Sequence, residues 1–440
     1  AYYCEDPFLN QLGVNPVFNL LTSTLDDNRK ENRTLHLMSE EDALSKVQKY
    51  LHRQGIDRLS PIARKVEREG TPNRRNVVLV FMESMSANLM GTFGSDKKLT
   101  PYLDSLYQQS LSFSHFYSSG IHTNHGIYST LYSFPAIMKR NAMKGSVIPV
   151  YSGLPTVLQE NGYCNLFFMT HESQYDNMNA FLRTNGFDEI YAQENYPSEK
   201  VVNSFGVQDD FMYQYALPIL NERAGTGNPF FSVLLSISNH PPYVIPPYFH
   251  PHSDVLEEQI VEYADWSIRQ FMQAAEKQPW FDNTIFVFLG DHGKMVGTPE
   301  CEMPQSYNHI PLMIYGKDIK PGVYDGFGGQ VDVSPTLLGL LNISYLQNNF
   351  GVNLLEEERP CMFFTADNLI GARDSVNMFI YSPDSQQEFK YKLEEGKLHA
   401  ATGTDEEAFR NLKDYCFSML QSTESLVKEH KTLDKVSVKK

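Results

Sequence analysis

Asn76 to Ser86 reads NVVLVFMESMS. Apolar residues, most of them β-branched or aromatic, follow one another without a polar break and then give way to Glu83 and small hydroxyls. An uninterrupted run of this kind predicts a strand covered on both faces, as in a parallel sheet. Ligands of open α/β sheets sit beyond the carboxyl ends of such strands, so Glu83 falls where chemistry is usually done. The plainer reading is that Glu83 opens a loop or caps the next helix. A second stretch of the same build argues against it. Asn283 to Lys294, NTIFVFLGDHGK, ends its apolar run in Asp291 and His292. Two strands delivering Glu and Asp-His to one sheet edge predict a metal site.

The segments around these two runs fit the same plan. Ser39 before Glu40-Glu41 and Thr100 before Pro101 are helix starts. Phe113–Tyr117 predicts a short strand feeding a loop of small residues, Ser118 to Gly126, with a helix over Ile127–Ser133. That order places the Thr123 hydroxyl beside free backbone N–H groups at a helix start, an anion site. Thr123 is the natural nucleophile there, the plainer alternative being a helix cap. Cys164–Met169 and Pro229–Ile237 are further strands, ending at His171 and at Asn239-His240. A helix over Tyr263–Glu276 precedes the Asp291 strand, His309–Tyr315 is another strand, and Ser334 with Pro335 starts a helix.

Strands alternating with helices at this rhythm predict an α/β fold with a mostly parallel central sheet flanked by helices on both faces. Residues 360–400 add a small C-terminal antiparallel sheet, and Glu406–Leu433 a closing amphipathic helix. The expected division is a helical connector arm at 1–75, a catalytic domain at 76–355, and a C-terminal sheet and helix at 356–440.

Charge and composition exclude some classes. A net charge of −16 leaves no basic stripe for nucleic acid. It admits an anionic substrate if a metal ion supplies local positive charge. Five cysteines, Cys4, Cys164, Cys301, Cys361 and Cys416, lack CxxC spacing and are expected to be inert thiols. No run reaches the roughly 18 apolar residues that span a bilayer. The start at Ala1, without a signal peptide, leads us to expect a processed or truncated product whose anchor lay upstream.

Glu83, Thr123, Asp291 and His292 together offer two carboxylates, an imidazole and a hydroxyl, a donor set for a divalent ion of the Mn²⁺, Mg²⁺ or Zn²⁺ type. Such an ion would also activate a threonine hydroxyl, a weak nucleophile at neutral pH.

The pieces NVVLVFMESMSANLMGTFG, LTPYLDSL, GIHTNHGIYSTL, SNHPPY, FLGDHGK and VDVSPTLLGLLN, spread from Asn76 to Asn353, resemble the sulfatase-like branch of the alkaline phosphatase superfamily. Within it they look most like lipoteichoic acid synthase-type phosphoglycerol transferases. The resemblance implies Glu83, Thr123, Asp291 and His292 as ligands of one divalent ion, usually Mn²⁺ or Mg²⁺, with Thr123 as nucleophile. It implies a substrate-binding role for His240 and, by position, for His171. The acid-aromatic-arginine set expected after His171 is not reproduced: Asp176 and Asn177 occupy the region and no equivalent arginine is found. His122, His125 and His309 would add polar contacts or a second ion, or else serve the structure. Formylglycine sulfatases need Cys or Ser in a C/S-x-P-x-R setting, and Thr123-Asn124-His125-Gly126-Ile127 has neither the Cys nor the Arg.

The expected activity is therefore transfer of a phosphoglycerol-type head group from a membrane phospholipid to a glycan or lipid acceptor of the cell envelope, through a phospho-threonine. The alternatives are a phosphoethanolamine transferase, a phosphodiesterase, or a catalytically silent envelope-binding module. The resemblance implies an extracytoplasmic domain tethered by N-terminal membrane helices, and we expect a monomer.

Overall fold

In the computed structural model, which describes residues 35–56, 59–145, 148–394, 396–401 and 406–434, the stretch quoted first is strand β1 (Asn76–Met82), buried at every position. The other strands of its sheet are β2 (Leu111–Tyr117), β3 (Cys164–Met169), β4 (Glu189–Tyr191), β5 (Phe230–Leu235), β6 (Thr284–Gly290), β7 (Leu312–Tyr315) and β8 (Gly322–Gly329). They lie in the order β8-β2-β7-β6-β1-β5-β3-β4. Only β7 runs antiparallel to its two neighbours; the remaining pairs are parallel.

From Val77 to Met82 β1 is apolar because both of its faces are covered. Val77, Leu79 and Phe81 enter one core with Ile127, Leu131 and Leu337. Val78, Val80 and Met82 enter the other with Leu103, Ile260 and Met272. Successive strand residues point to opposite faces, so an alternating pattern would have left charge in one of these cores. In register, Met82 faces Gly290 of β6. The residues that follow, Glu83 and Asp291, therefore leave the sheet side by side.

The helices used below are α1 (Glu40–Tyr50), α2 (Pro101–Gln108), α3 (Thr123–Tyr132), α4 (Asp209–Ala224), α5 (Leu256–Ala275), α6 (Val333–Leu340) and α7 (Glu406–Lys428). Ser39 caps α1 as expected, its hydroxyl accepting from Asp42 N–H at 3.1 Å. α2 starts at Pro101 behind Thr100, as expected, but Thr100 spends its hydroxyl on Asp104, while Asp265 of α5 takes the N–H groups of Tyr102 and Leu103. Two other starts differ from expectation. α3 begins at Thr123, four residues earlier than the apolar pattern suggests. α6 begins at Val333 behind Asp332, so Ser334 lies inside the helix and Pro335 in its third position.

A five-stranded antiparallel meander follows, β9 (Met362–Thr365), β10 (Ile370–Arg373), β11 (Asn377–Ser382), β12 (Gln387–Glu394) and β13 (Lys397–Ala400). Thr365 N–H donates to Ser119 O at 2.9 Å, tying this sheet to the loop that carries Thr123. α7 packs on β10, β11 and α1. Of the expected arm, residues 1–34 lie outside the described residues, as does Cys4. Cys361 and Cys416 are buried, Cys164 and Cys301 half-buried, and all four are free thiols.

α7 also carries a buried acid. Glu424 accepts from Leu35 N–H at 3.0 Å and pairs with Arg140 at 3.3 Å. Burial outweighs both partners and pushes its carboxyl from 4.5 up to about 7. The folded chain thus holds a proton that the unfolded chain releases, so stability falls as pH rises through that window. Glu424→Gln removes the component. Relative to the native chain, its unfolding free energy should improve by about 1–3 kcal/mol between about pH 5 and pH 8. Parallel denaturation profiles of the two proteins across that range would contradict this.

Candidate metal centre

Glu83 and Asp291 are 1% and 0% exposed. With His292 they place one ligand atom each within 4.8 Å of one another. His292 Nε2 stands 3.8 Å from Glu83 Oε1 and 3.5 Å from Asp291 Oδ2. Its other ring nitrogen, Nδ1, lies 2.8 Å from Gly293 O. The proton therefore belongs on Nδ1, and the Nε2 lone pair faces the carboxylates, the tautomer a metal ligand requires.

Ser84 holds the two strand ends together. Its N–H donates to Asp291 Oδ1 at 2.8 Å and its hydroxyl to Glu83 Oε1 at 2.7 Å. To do so it adopts φ +51°, a left-handed conformation unusual for a non-glycine and common at functional sites. Asp291 Oδ1 also accepts from His292 N–H at 2.7 Å. Its Oδ2 is buried without a hydrogen-bond partner. Burial first, and then the Asp291 charge, drives the Glu83 carboxyl well above its ordinary value. Two adjacent buried carboxylates, an orphaned oxygen and an aimed imidazole nitrogen fit a divalent cation, which removes the repulsion that raises Glu83.

Thr123 is the first residue of α3, and its Oγ1 lies 3.5 Å from Glu83 Oε2. The helix comes this close because position 126 is glycine: a Cβ there would stand 2.2 Å from Asp291 O. Gly126→Ala should therefore push α3 off the Asp291 loop. We expect a loss of about 2 kcal/mol or more in denaturant unfolding, with weakened metal binding in titration. A variant unchanged in both would show that the approach is not tight.

Four supports escaped the sequence reading. Gln330 accepts from Ser119 N–H and donates to Gly290 O and Asp291 O, joining the Thr123 loop to the end of β6. Asp209, at the start of α4, accepts from Ile237 N–H and Ser238 N–H and fixes the loop to His240; burial raises its carboxyl to about 6. Asn239 donates to Glu83 O and Ser84 O. Lys294 donates to the Asn239 side-chain oxygen at 2.6 Å, and burial brings its ammonium down to about 8. Asn239 and Lys294 stand in quoted motifs, but only the fold brings them together.

The expected pocket residues divide. His240 is half-buried, with Nδ1 2.6 Å from Pro241 O and its ring against Phe205. His171 is buried beside Tyr175, its Nε2 without a hydrogen-bond partner, and burial lowers its pKa. His125 is buried two residues after Thr123 in the first turn of α3, with burial pushing its pKa down to about 3. Asp176 accepts from Asn124 at 3.1 Å and from Lys144 at 2.9 Å. Asn177 gives its amide to Met143 O, and His309 has Nε2 at 2.9 Å from Ser114 O among the rings of Phe93 and Tyr117. His122 pairs with Asp367 of the C-terminal sheet.

A family model described as Sulfatase matches residues 75–343. The chain is 25% identical over 362 residues to the lipoteichoic acid synthase-like YvgJ of Bacillus subtilis, covering 74% of this chain and 56% of that protein. It is 24% identical over 400 residues to a lipoteichoic acid synthase of Staphylococcus aureus, with coverages of 80% and 58%. It thus spans about half the length of the curated relatives it matches. Among solved structures, a protein of the alkaline phosphatase superfamily from Vibrio parahaemolyticus superposes with a TM-score of 0.81 at 25% identity, over 90% of this chain and 97% of that one. The lipoteichoic acid synthase LtaP of Listeria monocytogenes superposes with a TM-score of 0.70 at 21% identity, over 88% and 98%.

Proposed function

The chain belongs to the sulfatase family of the alkaline phosphatase superfamily, and from that premise we propose that it transfers a phosphoglycerol-type head group from a membrane phospholipid to a glycan or lipid acceptor of the cell envelope. The observation that carries the proposal is Thr123 Oγ1 facing Glu83 Oε2 at 3.5 Å, at a helix start, beside the Glu83-Asp291-His292 cluster. The naming of the curated relatives as lipoteichoic acid synthases supports glycerol as the head group. A sulfatase-type nucleophile is missing, since the position holds Thr123 rather than Cys or Ser.

Glu83, Asp291, His292 and Thr123 would hold one divalent ion, most readily Mn²⁺ or Mg²⁺. Bound there, it would lower the pKa of the Thr123 alcohol and offset charge on the phosphoryl group. Thr123 Oγ1 attacks phosphorus and the bond to the diacylglycerol oxygen breaks. The threonine proton ends on diacylglycerol. The acceptor alcohol then attacks the phospho-threonine, the bond from phosphorus to Oγ1 breaks, and the acceptor proton returns to Thr123. His240 and His171, on the loops after β5 and β3, contact the head group.

Among the described residues no helix is long and apolar enough to cross a membrane. The donor lipid is met at the extracytoplasmic membrane surface. Diacylglycerol release from phosphatidylglycerol and phosphatidylethanolamine vesicles tests the proposal. Release from phosphatidylglycerol, dependent on Mn²⁺ and on an acceptor, is the expected result. Preferential release from phosphatidylethanolamine would move the chain to ethanolamine transfer, and release without an acceptor to hydrolysis.

A further inference from the structure

Lys294 is not spoken for by the metal cluster. Reciprocal bonds with Ser86 clamp its backbone, Lys294 N–H donating to Ser86 Oγ at 2.8 Å and Ser86 Oγ donating to Lys294 O at 2.9 Å. The ammonium donates to Asn239 Oδ1 at 2.6 Å and lies over the Tyr243 ring, 5.6 Å from its centroid. Asn239 is itself fixed by its bonds to Glu83 O and Ser84 O. Three motifs far apart in sequence thus hold one cation beside the metal site.

This cation is half-buried, and its hydrogen-bond partner is a neutral amide. The charges of Glu83 and Glu257 act on it, but its hydrogen bond goes to the Asn239 amide oxygen. An ammonium has three N–H donors, and one serves Asn239. A partly desolvated cation is costly unless an anion joins it. The carboxylates of Glu83 and Asp291 would offset the charge of a divalent ion held there, and Lys294 would add a separate cation at its edge, placed to meet an oxygen of a phosphodiester.

We propose that Lys294 binds a non-bridging oxygen of the substrate phosphodiester, making it a substrate-contacting residue. The assignment rests on the phosphodiester reading above, but not on which head group is moved. Arg provides charge and donors at this position; Gln provides length and a donor without charge.

The test is calorimetric titration of glycerophosphoglycerol, a soluble phosphodiester, into Mn²⁺-loaded native, Lys294→Gln and Lys294→Arg proteins, with Mn²⁺ affinity titrated separately. Lys294→Gln should weaken diester binding about tenfold or more, the effect of losing one charge-assisted hydrogen bond. Lys294→Arg should stay within about threefold of native, and Mn²⁺ affinity should be held within about threefold in both. Equal diester affinity in Lys294→Gln, or parallel loss of Mn²⁺ and diester binding, would overturn the proposal. Diester binding through Lys294 without any transfer from phospholipid would instead remove the transferase reading and leave this one standing.

Discussion

Thr123→Ala should lose about 10³-fold or more in diacylglycerol release while keeping its fold. The two halves of this expectation have separate grounds. The chemical half follows from position: Oγ1 faces Glu83 at 3.5 Å, and alanine has no atom to attack phosphorus or carry it. The structural half follows from the helix start. His122, not Thr123, occupies the flanking position of α3, so no cap is lost, and alanine suits a first-turn position. Unfolding free energy should stay within about 1 kcal/mol of native. Residual turnover above a tenth of native would give the nucleophile's role to another group. A collapse of stability would make Thr123 a structural residue.

The second large effect belongs to Glu83→Gln, and its two consequences have opposite signs. With the charge gone, the site should lose Mn²⁺ binding, measured by titration, and with it turnover. Without metal, the same variant should be more stable than the native chain by about 1–3 kcal/mol, because two adjacent buried carboxylates no longer repel. The native chain should in turn gain about 2.7 kcal/mol from Mn²⁺ at a hundredfold excess over its dissociation constant. Glu83→Gln should gain almost nothing. A metal-free variant less stable than the metal-free native chain, combined with native Mn²⁺ affinity, would mean that Glu83 is a buried structural acid.

What could be read from the chain alone was whatever a strand announces locally. β1 from Val77 and β6 from Ile285 are apolar because both faces are covered, and those runs lead the eye to Glu83 and Asp291-His292. Thr123 was found from small residues before a helix. The supports were not legible in this way. Gln330 reaches Asp291 O from 39 residues away, and Asn239 reaches Glu83 O across 156; such pairings exist only once the order β6-β1-β5 is known. Asn177 and His309 mark the other limit. Residue type and neighbourhood made them pocket candidates, yet the Asn177 amide nitrogen meets Met143 O and His309 Nε2 meets Ser114 O. The start of α2 at Thr100-Pro101 was legible, but its capping partner was not, because Asp265 comes from another element.

The central claim is that Thr123 carries the head group between donor and acceptor. Intact-protein mass after incubation with phosphatidylglycerol and Mn²⁺, without acceptor, followed by fragmentation to locate the modification, tests it directly. The predicted result is one phosphoglycerol adduct on Thr123, absent from Thr123→Ala and removed when an acceptor alcohol is added. An adduct on another residue, or diacylglycerol release with no adduct at any time point, would contradict it.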